Sequence, residues 1–181
     1  MNDRVGGREG GPMKRGALRI LVGVSLVLGA GVGAPAQAPA PTPAPGQAPS
    51  VGDLIPEFET TAAVDGHALK VGFPKGSSSV LLFFLSGCPT CHKMIPEWNR
   101  AYERRPAGLQ VVGVLMDQEP PGFFATTAIS FPVVRAPGRA WLQSLKVNRA
   151  PLTVRIAPGG KVEDLQLGIV DPIRLGELFR R

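Results

Sequence analysis

The sequence predicts an α/β domain in which a central sheet with strands of both directions is flanked by helices. Three observations predict this fold class. Short, wholly apolar segments typical of buried strands alternate with segments of helical periodicity. A hairpin pattern and a last helix end the chain, so the sheet is expected to contain antiparallel as well as parallel pairs. The segment 51–181 has 131 residues, about the modal size of one domain, and it shows no internal repeat.

The first half of this domain is predicted to contain an extended arm, a hairpin and a buried strand that leads into a helix. Residues 51–58 (VGDLIPEF) form the predicted arm, and Asp65-Gly66 the turn of the hairpin. Residues 80–85 (VLLFFL) are apolar throughout, which is typical of a strand buried on both faces. A helical pattern follows from Pro89 to about Tyr102. Pro96 lies inside it and is expected to kink the helix, because proline removes a backbone donor.

The second half is predicted to contain, in order, two buried strands (109–116 and 131–135), a short helix (141–147) and two strands of a hairpin (152–157 and 162–167). The turn of this hairpin falls at Pro158-Gly159-Gly160, where glycine tolerates a positive φ. Asp171 is predicted to cap a last helix that runs to Phe179, with Pro172 at its first position.

An export signal is predicted ahead of the domain, within residues 1–36. A basic stretch (14–19) precedes the apolar run 20–33, whose 14 residues fit a signal peptide and fall short of the ~20 that a membrane-spanning helix prefers. Ala34-Pro35-Ala36 then offers a cleavage site, and Met13 is an alternative start of the chain. An uncleaved anchor is the other interpretation, because tilting or local thinning of the bilayer can accommodate a short span.

A linker rich in proline and alanine is predicted at residues 37–50 (QAPAPTPAPGQAPS). Repeated prolines fix φ and remove backbone donors, which excludes helix and sheet and leaves an extended spacer of ~3 Å per residue. This segment is interpreted either as a functional tether or as a disordered chain end that has no role.

The charge of the chain does not indicate nucleic-acid binding. The formal net charge is +6, but residues 1–36 hold five basic and two acidic residues, so the remainder has 15 basic and 12 acidic residues, a net charge of +3. Only Arg104-Arg105 and Arg180-Arg181 are adjacent basic pairs in the domain. No basic stripe is visible, and we expect no nucleic-acid partner.

The chain has two cysteines, Cys88 and Cys91, and they are the strongest functional signal. A disulfide between them would close almost no loop and would contribute little stability, so a chemical use is favoured over a structural one. Cys88 follows a predicted strand and precedes a predicted helix, where unpaired N–H groups and the helix dipole favour a thiolate. Cys91, one turn later, is predicted to resolve a mixed disulfide, and Pro89 and Thr90 to tune the redox poise.

Other interpretations of the same residues were weighed. Cys88-Pro89-Thr90-Cys91-His92 also matches the attachment motif of c-type haem, with His92 as axial ligand, but a buried strand before the motif is atypical of a cytochrome. A metal site would draw on Cys88, Cys91 and His92, with His67 or Met94, but no second paired motif is present. An accidental or structural pair is the remaining possibility. For His92 alone, an exposed position on the first turns of the helix is favoured.

Several segments carry a resemblance to a known family: the arm 52–58, the strand running into Cys88-Pro89-Thr90-Cys91, Pro96, and the segments 131–134 (FPVV), 147–153 (VNRAPLT) and 159–162 (GGKV). Together they resemble the TlpA/ResA-type branch of the thioredoxin superfamily, across residues 51–181. The segment 83–86 (FFLS) is also similar to accessory thioredoxins of methylamine dehydrogenase assembly. The resemblance implies a thioredoxin-like fold, with the sheet flanked by helices and preceded by the extended arm and hairpin.

The same resemblance implies a substrate-binding loop. Pro151 would be a cis-proline that faces the disulfide, which leaves the backbone of Ala150 available to pair with an extended peptide. A trans proline that merely starts a strand is the alternative. Peroxidase activity is disfavoured, because peroxiredoxins, which share the arm and the sheet, have threonine three residues before the nucleophile, where this chain has Leu85.

Three departures from the family pattern affect the site: the aromatic residue expected before the first cysteine is Gly87, the acid that some members have three residues after the second cysteine is Met94, and the buried acid expected six residues before the first is Leu82. The first loosens the rim of the site. The other two remove the usual proton acceptors for Cys91, and the candidates that remain are Glu97, Asp117 and His92.

The expected function is that of an exported thiol–disulfide oxidoreductase in the periplasm or cell envelope, with or without a membrane tether. Its expected partners are the thiols and disulfides of client proteins, as in cytochrome c or metalloprotein maturation, and a membrane dithiol donor. We expect a monomer that needs no cofactor or resident metal. A copper-handling thioredoxin-like module is the alternative from another class, and a c-type haem electron carrier is the third interpretation.

Overall fold

The computed structural model describes residues 46 and 48–180, so the predicted signal peptide and most of the predicted linker lie outside the described residues. Within residues 48–180 the helices are α1 (Pro89–Glu103), α2 (Phe123–Thr126), α3 (Arg139–Ser144) and α4 (Pro172–Arg180). The strands are β1 (Phe58–Thr61), β2 (Ala68–Val71), β3 (Ser79–Phe84), β4 (Gln110–Leu115), β5 (Val133–Arg135), β6 (Leu152–Ile156) and β7 (Val162–Leu167).

A five-stranded sheet forms the centre of the domain, in the order β5-β4-β3-β6-β7. β3, β4 and β5 are parallel, whereas β6 and β7 run antiparallel to their neighbours. β1 and β2 form a separate antiparallel hairpin, and the arm before it meets the turn between β6 and β7 where Leu54 bridges to Lys161. The predicted α/β class, the mixed sheet and the hairpin are confirmed.

Strand β3 separates the two halves of the hydrophobic core. All six of its residues are buried, and successive side chains point to opposite faces of the sheet. On one face, Leu82 and Phe84 pack in a cluster with α1 and α4. On the other face, Leu81 and Phe83 pack with α3, the hairpin and the arm. Burial on both faces explains why the sequence of this strand contains no polar alternation.

Helix α1 packs one side against the first of these clusters. Its buried residues are Cys91, Met94, Ile95 and Trp98, the spacing that a helix requires to keep one face toward a sheet. Pro96 lies inside the helix on its exposed side. The indole Nε1 of Trp98 donates to Thr153 Oγ1 in β6 at 3.0 Å, which ties the middle of α1 to the sheet.

Two local differences between the predicted and the observed elements concern helices, and the strand predicted at 131–135 begins two residues later, as β5 (Val133–Arg135). The four-residue helix α2 was not predicted, and it begins after Gly122, whose φ is 81°. The predicted helix at 141–147 is wrong at both ends, because α3 spans Arg139–Ser144. It stops where Lys146 adopts a positive φ of 60° and Val147 N donates back to Leu142 O at 2.8 Å. In residues 48–180 no helix combines the length and apolar character needed to cross a bilayer.

Candidate redox site

The two cysteines lie where β3 ends and α1 begins, at the carboxyl end of the parallel strands. Cys88 is the N-cap of α1, with extended backbone angles (φ −88°, ψ 113°), and Pro89 occupies the first turn, where a missing N–H costs nothing. The N–H of Cys88 donates to Leu85 O at 3.3 Å, which closes the turn between strand and helix. The local sequence therefore places a cysteine sulfur where a capping oxygen normally lies.

The two sulfurs differ in exposure and share one hydrogen bond. Both cysteines are free thiols; Cys88 is half-buried, whereas Cys91 is fully buried at 0% exposure. The backbone N–H of Cys91 donates to Cys88 Sγ at 3.3 Å. This bond joins the first turn of the helix to the outer sulfur. The arrangement offers one sulfur to a partner and holds the second behind it.

Burial raises the pKa of the Cys91 thiol to about 12. The hydrogen bond with Cys88 and the negative charges of Cys88 and Asp117 act in the same direction, while a backbone hydrogen bond from Leu85 opposes them. Cys91 is therefore protonated at neutral pH and must lose its proton before it can attack another sulfur.

This difference predicts unequal reactivity of the two thiols toward alkylating reagents. In the native reduced protein at neutral pH, Cys88 is expected to react with iodoacetamide at least about a hundredfold faster than Cys91, because only an accessible thiolate is nucleophilic. Peptide mass spectrometry after timed alkylation measures both rates. The same experiment in guanidinium chloride is the control, where both cysteines should react alike. Equal rates in the native protein would contradict the burial of Cys91.

The predicted substrate loop lies next to the half-buried sulfur. The carbonyl oxygen of Ala150 is 4.0 Å from Cys88 Sγ. The Ala150–Pro151 peptide bond is cis, as the family resemblance implied. The carbonyl of Pro151 accepts from Gly168 N at 2.8 Å, which joins this loop to the end of β7. The structure thus brings Cys88, Ala150 and Pro151 together.

A hydrogen-bond network centred on Ser86 lies directly before the two cysteines in the chain. Ser86 N donates to the Asp117 carboxylate at 2.9 and 3.1 Å, and Ser86 Oγ donates to the same carboxylate at 2.9 Å. The backbone carbonyl of Ser86 accepts a hydrogen bond from His92 Nε2 at 2.7 Å. His92 is exposed, as predicted, although its hydrogen bond to the Ser86 carbonyl orients the ring. The sequence analysis missed Ser86, for which the only signal was a small polar residue between an apolar strand and the cysteines.

The remaining predicted residues occupy the rim and the far side of α1. Pro89 is exposed and Thr90 half-buried on the first turn of the helix. Gly87 is also exposed, and a Cβ added to it would meet no atom within 4 Å. Glu97 pairs with Arg100 and lines a separate cavity of about 300 Å³ between α1 and α4.

The structure does not assemble the alternative metal or haem sites. Among the described residues, no three His, Cys, Asp or Glu side chains come together in a way that could hold a metal ion. His67 instead contacts Asp65 in the first hairpin at 2.6 Å. A c-type haem would need thioether bonds to both cysteines, but Cys91 is enclosed in the core with Met94 and Trp98. The site therefore does not fit haem.

Comparison with known proteins identifies the family. Residues 50–174 match the family model described as Redoxin. The chain belongs to the Redoxin family. As the fold and the cysteine pair predicted, this Redoxin-family protein is a thioredoxin-like thiol–disulfide oxidoreductase. A search of curated protein sequences gave no significant match.

Solved structures share the fold of this Redoxin-family chain. A putative thiol:disulfide interchange protein DsbE from Chlorobium tepidum is 27% identical, with a TM-score of 0.61 over 72% of this chain and 93% of that one. StoA from Bacillus subtilis is 20% identical, with a TM-score of 0.59 over 70% and 98%. A secreted Mycobacterium tuberculosis disulfide oxidoreductase homologous to E. coli DsbE is 19% identical, with a TM-score of 0.56 over 67% and 93%.

Proposed function

We propose that this protein is an exported oxidoreductase that exchanges disulfides with client proteins, with Cys88 as the attacking and Cys91 as the resolving sulfur. One observation carries the proposal: Cys88 Sγ is half-buried at the start of α1 and accepts the Cys91 N–H at 3.3 Å, while the sulfur of Cys91 is enclosed behind it. A partner can reach the first sulfur only, and the second is one helical turn away. This order of access is what two-step exchange requires.

In the reducing direction, the Cys88 thiolate attacks one sulfur of a client disulfide. The S–S bond of the client breaks, its other sulfur leaves as a thiolate, and a mixed disulfide joins Cys88 to the client. Cys91 then attacks Cys88 and the client leaves as a thiolate. The client has gained two electrons, and Cys88 and Cys91, which lost them, are left as an intramolecular disulfide. A membrane dithiol donor restores the two thiols. The reverse sequence oxidises a client.

The loop opposite Cys88 is suited to hold the client. With the Ala150 carbonyl 4.0 Å from Cys88 Sγ, the backbone of Ala150 can pair with an extended client segment while a client sulfur approaches Cys88. Pro151 fixes the direction of this backbone. Pro89 and Thr90 occupy the first turn of α1 between the sulfurs and are proposed to tune the redox poise.

Export is supported by the predicted signal at residues 1–36 and by similar structures whose proteins are described as secreted or exposed. These include the secreted Mycobacterium tuberculosis oxidoreductase and an exposed lipoprotein thioredoxin from Streptococcus pneumoniae, at 19% and 20% identity. We place this protein in the periplasm or cell envelope, tethered if the signal is retained. Its clients are proteins whose cysteines must be reduced or oxidised after export, as in cytochrome c or metalloprotein maturation. It acts as a monomer.

Reversible loss of both thiols together tests this function. Excess oxidised glutathione is expected to convert Cys88 and Cys91 into one intramolecular disulfide, and dithiothreitol to restore both thiols, as counted by alkylation and intact mass. The protein should also accelerate the reduction of insulin disulfides by dithiothreitol. A stable glutathione adduct on one cysteine, or no acceleration, would overturn the proposal. A Cys88→Ala/Cys91→Ala protein supplies the uncatalysed rate.

A further inference from the structure

The enclosed thiol of Cys91 needs a proton acceptor. Because its pKa is raised to about 12, only about one molecule in 10⁵ carries a Cys91 thiolate at pH 7 without help. The position that holds a buried acid in thioredoxin is Leu82, which is apolar and fully buried. The acceptor must therefore come from another part of the fold.

Asp117 is the acid that the structure holds beside the cysteine loop. It follows β4, next to the strand that leads into Cys88, and both of its carboxylate oxygens accept hydrogen bonds from Ser86. Its negative charge helps to raise the pKa of the Cys91 thiol. Three hydrogen bonds to one residue fix the carboxylate without consuming its capacity to accept a further proton, since a carboxylate offers about four acceptor positions.

Asp117 also has access to water. It lines an open cavity of about 420 Å³ together with Met116, Glu119 and Arg135. Glu119 and Arg135 pair with each other at 2.5 and 2.6 Å across this cavity, so neither competes for the Asp117 carboxylate. A carboxylate held at the cysteine loop by Ser86 and open to this cavity can return a proton to water.

Three other titratable groups of the described residues already hold hydrogen-bond or ion-pair partners. Glu97 pairs with Arg100 and faces the separate cavity between α1 and α4. His92 donates its Nε2 proton to the Ser86 carbonyl and lies on the exposed side of α1. At the start of α4, the Asp171 carboxylate accepts from the N–H groups of that helix.

We propose that Asp117, positioned by Ser86, is the proton acceptor for Cys91 in the resolving step. The inference rests on the proposed roles of the two cysteines. The proton of the Cys91 thiol passes to the Asp117 carboxylate, and the resulting thiolate attacks Cys88 in the mixed disulfide. The Cys88–Cys91 bond forms, the bond from Cys88 to the client breaks, and the client sulfur leaves with the electron pair. Asp117 then returns its proton to water in the cavity.

The two steps can be timed separately with the reduced full chain and an excess of dithio-bis-nitrobenzoate. Attack by Cys88 releases the first coloured thiolate, and attack by Cys91 on the resulting mixed disulfide releases the second. In Asp117→Asn the second phase is expected to slow on the order of a hundredfold at pH 7, with the first phase nearly unchanged. If Asp117 acted only as a fixed negative charge, Asp117→Asn would instead speed up the second phase, because removal of the charge makes the Cys91 thiol easier to ionise.

The pH dependence distinguishes proton transfer from a structural effect. In the wild type, the rate of the second phase is expected to depend little on pH around neutrality, because the carboxylate takes the proton of the thiol. In Asp117→Asn it should instead rise about tenfold per pH unit, following the fraction of Cys91 thiolate. Glu97→Gln is the matched control and should retain the wild-type profile. Ser86→Ala, which keeps the backbone donor and loses the hydroxyl, should slow the second phase by roughly threefold to tenfold.

The possible outcomes separate the two proposals. A second phase that is unchanged or faster in Asp117→Asn, with the first phase intact, overturns the role of Asp117 and leaves the exchange function standing. The absence of a first phase in the wild type would instead count against the exchange function itself. Thermal unfolding of each variant shows whether a slow second phase reflects a folded protein.

Discussion

In a Cys91→Ala protein, a client joined to Cys88 is expected to stay attached instead of being released within one turnover. The resolving sulfur is held beside Cys88 by the helix, so its effective concentration far exceeds that of free thiols in solution. Without it, release depends on external thiol, and the lifetime of the mixed disulfide should rise on the order of a thousandfold or more. Non-reducing electrophoresis of cell-envelope extracts, followed by mass spectrometry of the trapped species, measures this accumulation.

The matched control for this experiment is Cys88→Ala. It retains the buried thiol but removes the accessible one, so it should trap no client at all. Alanine is chosen over serine at position 91 because a hydroxyl there would be buried among apolar side chains. Adducts that appear equally in both variants would mean that Cys91 reacts with clients as readily as Cys88. That result would contradict the proposed order of attack.

Replacing Gly113 with alanine is expected to destabilise the domain by about 2 kcal/mol. A Cβ at this position of β4 would lie 2.7 Å from Cε2 of Phe131 and 3.2 Å from Cε1 of Phe84. Phe84 is fully buried, and both rings pack around Trp98 with centroids 6.3 Å away, so neither can move aside freely. A melting temperature lower by roughly 5–10 °C in a thermal unfolding experiment would match this cost.

Gly76→Ala is the matched control for that substitution. The added Cβ meets no atom within 4 Å in the loop before β3, so stability should change by less than about 0.5 kcal/mol. Equal melting temperatures for Gly113→Ala and Gly76→Ala would contradict the tight packing between β4 and the two phenylalanine rings.

The sequence was sufficient to predict the features that depend on local chemistry. The apolar run that forms β3 and the cysteine pair at the start of α1 follow from residue patterns a few positions long. Asp171 caps α4 as predicted, since its Oδ1 accepts from Ile173 N and Arg174 N at 2.9 and 3.0 Å. In each case the residues that determine the structure are neighbours in the chain.

Features that depend on the tertiary fold were harder to predict. Ser86 and Asp117 are 31 positions apart, and only the parallel pairing of β3 with β4 brings them together. The sequence could therefore offer Asp117 only as one of three candidate acids or bases. Helix α2 was missed because four residues carry too little periodicity to be recognised, and its start depends on the positive φ of Gly122.

The open space around Gly87 would allow client preference to change without a change in the stability of the domain. A side chain introduced there would begin in open space next to Cys88, since a Cβ meets nothing within 4 Å. A single codon change could therefore add a bulky or charged contact for one set of clients while the folding equilibrium stays the same.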